Sequence, residues 1–284
     1  MKPKTLESLL DQPSKLPNIP KVTQALLLSF GNEAVSVEEI GRQLSADPAL
    51  SAKLLRLANS AYFNVSRSIA SVDDALRMLG FVMVRNLVLG NSMVAAFKNT
   101  PGIQLPQFWR YNLYTACASR WLAQQHEEAN TDLAFTVGLL HGIGQLQMHV
   151  LKPAELAPLD AQLHVLAPGR AALEQQALGF HHGDVAAELA RIWKLPEPIV
   201  DALRAVPDPL AAEDFSDAAG WVHLGAWRAR AEVLGQDVQA QLDSYPSAIG
   251  RRLGLAPNWA PVQQGSAPMP PLSELTEGLE AMLD

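Results

Sequence analysis

Helix start and stop signals recur along the whole of this 284-residue chain, while the two-residue alternation of a half-buried strand is almost absent. The pattern predicts an all-α fold. In "SVEEIGRQL", Ser36 stands three residues before Glu39, a spacing at which each side chain reaches an amide of the helix start. "DPALSAKLLRLANS" offers Asp47 as an N-cap and Pro48 at the first helical position, where a missing N–H costs nothing. Its Leu50, Leu54 and Leu57 share one face and read as core. "SVDDALRMLG" is a complete short helix by its punctuation, from Ser71 at the start to Gly80 after the last turn, and a longer helix follows through "VMVRNLVLGNSMVAAF".

The Pro- and Gly-containing stretch "KNTPGIQLP" (98–106) then parts the chain into an N-terminal helical bundle, expected over 1–100, and a second helical sub-domain over 101–255. In the latter, helices are expected near 107–127, 131–149, 169–178, 183–193, 197–205 and 217–234, the second capped by Thr131. "APNWAPVQQGSAPMPP" (256–271) lacks periodicity and reads as a linker or extended arm. "LSELTEGLEAMLD" closes the 256–284 segment as a short amphipathic helix with Leu275, Leu279 and Met282 on a shared face.

A chain that is 48% hydrophobic has the means to bury a sizeable core. Its net charge of −7, with 22 Lys and Arg scattered rather than clustered, argues against direct nucleic-acid binding. Cys117 is the only cysteine, which rules out an intramolecular disulfide or a cysteine-based zinc site. The start "MKPKTLESLLDQP" has no apolar signal-peptide core, and no run approaches the ~20 apolar residues of a membrane span. Cytoplasmic residence is therefore expected.

The stretch "GLLHGIGQL" (138–146) sets a histidine and two glycines inside an expected helix, where each glycine costs roughly 1 kcal/mol relative to alanine. That combination marks a site rather than plain packing. Of the seven histidines, His126 beside "EEAN" reads as solvated, His164 as a loop residue, and His149 as lying about 12 Å along the helix from His141. The pair to weigh is His141 with His182. Each is either a buried imidazole bonded to a carbonyl or a ligand; no carboxylate flanks His141 within two residues and no short zinc signature is present.

From Leu16 to about Leu234 the chain resembles the HDOD family, the HD-related output domain of bacterial signalling proteins. The first half carries "LPNIPKVTQALLLSF", "ADPALSAKLLRLANSAYF", "SVDDALRMLG" and "VRNLVLG". The second half carries "FWRYNLYTACASRWLA", "AFTVGLLHGIGQL", "LGFHHGDVAAELARIWKLPEPIV" and "AAGWVHLGAWRARAE". The resemblance implies an HD-like helical domain, similar in fold to phosphohydrolases that hold one or two metals with histidines and aspartates. Carried over by position, the first family histidine falls on Tyr111 and the His-Asp pair on His141 and Gly142. A further histidine falls on His182, a His-His doublet on Ala205 and Val206, and the final aspartate on Ala226 or Gly225. The role of Asp184, just after His182, stays open.

With so many ligand positions replaced, the resemblance implies no metal, no cofactor and no catalysis. It implies instead a bacterial signalling or regulatory protein acting by protein–protein interaction. An alternative is a receptor for a small anionic ligand such as a cyclic dinucleotide, and a third reading is residual metal-dependent hydrolysis. Candidate surfaces are the cleft between the two halves and "NSAYF", with Asn59, Ser60 and Tyr62, Asn59 serving equally well as a helix C-cap. Arg56, Arg67, Arg77 and Arg85 form either a local positive face for an anion or a solvated surface.

Overall fold

A computed structural model describes residues 37–59, 68–255, 269–277 and 279, together with Leu6, Leu16, Pro17, Pro20, Thr23 and Leu26. Every regular element among them is a helix, so the fold is all-α. Ser36, Ser60, Tyr62, Phe63, Arg67, Met282 and residues 256–268 of the Pro-rich arm lie outside the described residues.

The N-terminal group comprises α1 (Val37–Ser45), α2 (Pro48–Ala58), α3 (Val72–Leu79) and α4 (Phe81–Ala96). Its local punctuation works as the side chains suggest. Asp47 accepts from the Ala49 and Leu50 amides at 3.0 and 3.1 Å, and Ser71 accepts from the Asp74 amide at 3.1 Å. Gly80, with φ at +78°, turns the chain through 111° between α3 and α4. Leu50, Leu54 and Leu57 are buried as a stripe.

The second half is built around α5 (Leu105–Ala123) and α12 (Asp217–Val233), which pack along each other with α6 (Thr131–Leu140) against both. Between them in sequence come α7 (Ile143–Leu151), α8 (Pro153–Gln162), α9 (Arg170–Leu178), α10 (His182–Ile192) and α11 (Glu197–Ala205). Three short helices follow α12: α13 (Val238–Asp243), α14 (Ser247–Arg252) and α15 (Leu272–Leu275). One apolar core gathers side chains from α1–α4 together with Leu113, Cys117, Phe135 and Leu139 of α5 and α6. The other takes Leu89 and Met93 of α4 into the second half. Helices α4, α5 and α6 therefore serve both cores.

Several expectations are corrected. The helix expected over 131–149 breaks at His141 and Gly142, and α6 is capped by Asn130, whose Oδ1 accepts from the Leu133 amide at 2.9 Å, not by Thr131. The helix expected to reach 127 ends at Ala123, and α8, α13 and α14 were not legible. The terminal helix is a single turn, Leu272–Leu275, yet Leu272 and Leu279 are fully buried. Among the described residues, no single helix is long and apolar enough to cross a membrane.

Candidate functional site

The glycines of "GLLHGIGQL" have distinct local causes. A Cβ on Gly144 would run into the His182 carbonyl oxygen and stand 2.6 Å from the Ala186 nitrogen, so glycine is what lets α7 lie directly on the start of α10. A Cβ on Gly142 would stand 2.5 Å from Asn112 Oδ1 and 2.8 Å from Phe108 Cε1. The fully buried Asn112 amide of α5 thus fills the volume that a side chain at 142 needs.

The break between α6 and α7 opens onto a cavity of about 490 Å³ within the second half, lined by residues from Phe108 to Pro246. Tyr111, His141, Gly142, His182 and Ala226 all line it. Sequence positions more than a hundred residues apart are thereby brought to one place. Ala226 faces the cavity, whereas a Cβ on Gly225 would stand 2.9 Å from both Ser119 N and Thr115 O, against the backbone of α5. Val206 is part of the lining; Ala205 is not. The Tyr111 ring meets His141 edge-on, with centroids 5.2 Å apart.

Two of the lining side chains, Arg170 and His182, belong to a hydrogen-bonded polar chain centred on the buried Glu174. His182 Nδ1 lies 2.7 Å from Glu174 Oε2, and the His182 backbone amide donates to the same oxygen at 2.9 Å. Glu174 Oε1 takes Arg170 Nε at 2.9 Å and Gln145 Nε2 at 3.1 Å. Arg170 Nη2 then pairs with Asp160 Oδ1 at 2.7 Å, and His149 Nε2 reaches Asp160 at 3.2 Å. Burial by itself would raise the Glu174 carboxyl, but His182 and Arg170 outweigh it and hold it down to about 2. Asp184 caps α10: its Oδ2 accepts from the His181 amide at 3.0 Å, and His181 Nδ1 accepts from the Gly183 and Asp184 amides.

The imidazoles on the walls are set by carbonyls. His141 Nδ1 is 2.6 Å from the Gly138 oxygen, and His223 Nδ1 is 2.8 Å from the Val206 oxygen. A carbonyl only accepts, so each Nδ1 carries the proton and each Nε2 keeps a lone pair. His141 Nε2 is buried and has no hydrogen-bond partner among the described residues. Burial, then the charges of His182 and Arg230, outweigh the Gly138 bond and push His141 down to about 4. His223 is likewise lowered, by burial first and Arg230 next, against Val206 and Asp208.

Such bases stay neutral in the fold while the unfolded chain takes up protons. For His141 that stability is complete above the ordinary value of 6.5 and is lost as the pH falls toward 4. At about 1.4 kcal/mol per pKa unit, His141 accounts for a loss of roughly 3 kcal/mol across that window. Thermal melts at stepped pH check this. The wild-type Tm is expected to fall on acidification through the window and that of His141→Gln to fall less; parallel curves contradict the assignment.

The donor set does not fit the metal centre of an HD phosphohydrolase. His141, His181, His182 and His223 line the cavity, but the one lining carboxylate among the described residues is the exposed Asp208. Among those residues no group of three His, Cys, Asp or Glu is placed to hold an ion.

The other sequence candidates separate. Asn59 is the C-cap of α2, but at φ −94° it is not left-handed; its side chain clasps both the N–H and the carbonyl of Ile69 at 2.8 Å. Arg56 is exposed on α2. Arg85, in contrast, is 9% exposed, its guanidinium 5.8 Å from the Phe81 ring centre, so it adds nothing to an open positive face. His126 is not simply solvated, since its ring packs 4.7 Å from that of Trp221. Sequence reading missed His223, Arg230, Arg170 and Glu174. The four-residue spacing of the last two on α9 was their one visible signal.

The HDOD domain family model matches residues 16–209. A curated relative, an uncharacterized protein of Treponema pallidum (strain Nichols), is 25% identical over 203 residues, which are 71% of this chain and 39% of that protein. The chain therefore spans about two-fifths of the length of that relative. Among solved structures, a candidate phosphohydrolase from Shewanella amazonensis SB2B is 29% identical, with 98% of each chain covered and a TM-score of 0.75. An HDOD domain protein with unknown function from Geobacter sulfurreducens shares the fold at 23% identity, with 88% of each chain covered and a TM-score of 0.72.

Proposed function

We propose that this chain, which belongs to the HDOD family, is a regulatory protein of bacterial signalling that works by non-covalent binding of a protein partner, without hydrolysis. The observation that carries the reading is Gly142. The HD pattern places a carboxylate there, and here Asn112 and Phe108 leave no room for even a Cβ. Tyr111 and Ala226, at two further ligand positions, face the same cavity with groups that bind divalent ions poorly or not at all. The likeness to the Shewanella protein supplies the competing reading, metal-dependent phosphohydrolysis. That chemistry needs about three protein ligands converging on one ion with an open position, and among the described residues no three His, Cys, Asp or Glu side chains converge in that way.

Phosphate release from a panel of phosphomonoesters and nucleotides, with Mg²⁺, Mn²⁺ or Fe²⁺ supplied, tests the non-catalytic reading. The expected result is no turnover above buffer for the wild type or for Gly142→Asp, and metal-dependent turnover in either overturns it. Gly142→Asp is also expected to lose about 1–3 kcal/mol of stability, because the new side chain must displace Asn112 or Phe108 in a packed core. A Tm equal to wild type contradicts that crowding. Affinity capture from the native host tests the partner: stoichiometric recovery of a signalling protein supports the reading, and recovery of the chain alone counts against it.

A further inference from the structure

We propose that the cavity binds a small organic phosphate, with its phosphoryl group on Arg230 and its hydroxyl or amino groups donating to Nε2 of His141 and His223. The inference rests on the non-hydrolytic reading above and names a ligand class for the same site.

Arg230 of α12 lines the cavity, and its Nε donates to the Leu166 carbonyl, which orients the planar fork. Among the described residues it makes no ion pair with a carboxylate. The other lining arginine, Arg170, is neutralised by Glu174 and Asp160. Asp208 stands exposed at the rim. Arg230 is therefore a positive charge without a counterion in a concave site, and its Nη groups suit paired bonds to a phosphoryl group. His181 adds a second donor: its Nδ1 accepts two amides, so in the neutral ring Nε2 carries the proton.

The acceptors narrow the class. His141 is 6% exposed and its Nε2 has no partner among the described residues, a deficit that burial makes costly unless a ligand brings a donor. His223, whose Nδ1 is likewise on a carbonyl, presents a second Nε2 acceptor to the same cavity, from α12 rather than the α6–α7 break. A bare oxyanion would answer Arg230 and His181 while leaving both imidazole acceptors unmet. A phosphate ester with hydroxyl or amino groups answers all four. A cavity of about 490 Å³ is large enough for a ligand of nucleotide size, and Phe108, Tyr111 and Trp227 supply aromatic walls for its ring. Of the positive residues first read from sequence, Arg56 and Arg85 are not part of this lining.

Calorimetric titration with adenosine 5′-monophosphate, ribose 5-phosphate, cyclic di-GMP and inorganic phosphate separates the sources of the shared phosphoryl chemistry. At least one organic phosphate is expected to bind at micromolar concentration and inorganic phosphate far more weakly. Arg230→Gln should weaken binding by about tenfold or more. Because that change also frees the Leu166 carbonyl, Ala226→Leu provides a second arm, filling the cavity and blocking the ligand while the protein still melts cooperatively. No binding by any organic phosphate, or wild-type affinity in both variants, overturns the proposal. Binding followed by phosphate release would leave the site standing and overturn the non-hydrolytic reading instead. Absence of both binding and release removes the site and leaves that reading intact.

Discussion

Glu174→Ala is expected to lower the stability of this protein by about 3–5 kcal/mol, the cost of removing one partner from a buried ion pair. Glu174 is fully buried and holds four donors: His182 Nδ1, the His182 amide, Arg170 Nε and Gln145 Nε2. Alanine leaves those donors facing a void, and Arg170 keeps only Asp160 and the Leu163 carbonyl. At about 2–4 °C per kcal/mol for a domain of this size, the Tm should drop by roughly 10 °C. Glu174→Gln, which keeps the volume and one acceptor oxygen, should lose less. The pH dependence supplies a further check. The folded carboxyl is held at about 2, below its ordinary 4.5, so its contribution is complete above 4.5 and disappears as the pH falls toward 2. The gap between wild type and Glu174→Ala should therefore narrow below 4.5. A gap that stays constant into acid would assign the loss to the cavity rather than the charge.

Helix ends were legible because they are local. Asp47, Ser71 and Gly80 each act within four residues of themselves, and each does what its side chain or its absence suggests. Asn59 was legible as a cap but not in its use, since its amide spans to Ile69, ten residues on. Arg85 shows the reverse error. Its setting in "VMVRNLVLG" is apolar on both sides, a sign of burial that outweighs the charge.

The cavity was legible only through resemblance, which placed Tyr111, His141, Gly142, His182 and Ala226 at corresponding positions without saying what surrounds them. Arg170 and Glu174 have the spacing of an ordinary surface pair, and nothing in one sequence says that this face of α9 turns inward. Likewise the two glycines near His141 looked alike. Gly144 answers to the backbone of α10 and Gly142 to a side chain of α5, contacts 38 and 30 residues away that no local pattern encodes.

Removal of residues 256–284 is expected to destabilise the whole protein rather than trim a tail. Met269 and Leu272 are buried in the core of the second half, while Leu279 is buried in the core shared with α1–α4. The segment therefore closes a seam that neither core can cover alone. Its entry is held by Glu232 at the end of α12, whose carboxylate accepts from the Leu272 and Ser273 amides at 3.2 and 3.3 Å and from Arg228 at 2.7 Å. Leu272→Ala in the full chain should alone cost about 2–5 kcal/mol, because the side chain is fully enclosed and its removal leaves a cavity. A chain ending at Leu255 loses all three apolar anchors and bares the surfaces under them, so its Tm should fall further than that of Leu272→Ala. Calorimetry on the two variants orders the effects. A truncated protein that melts with the wild type would show that the buried tail contributes nothing net, and that the two cores are joined through α4, α5 and α6 alone.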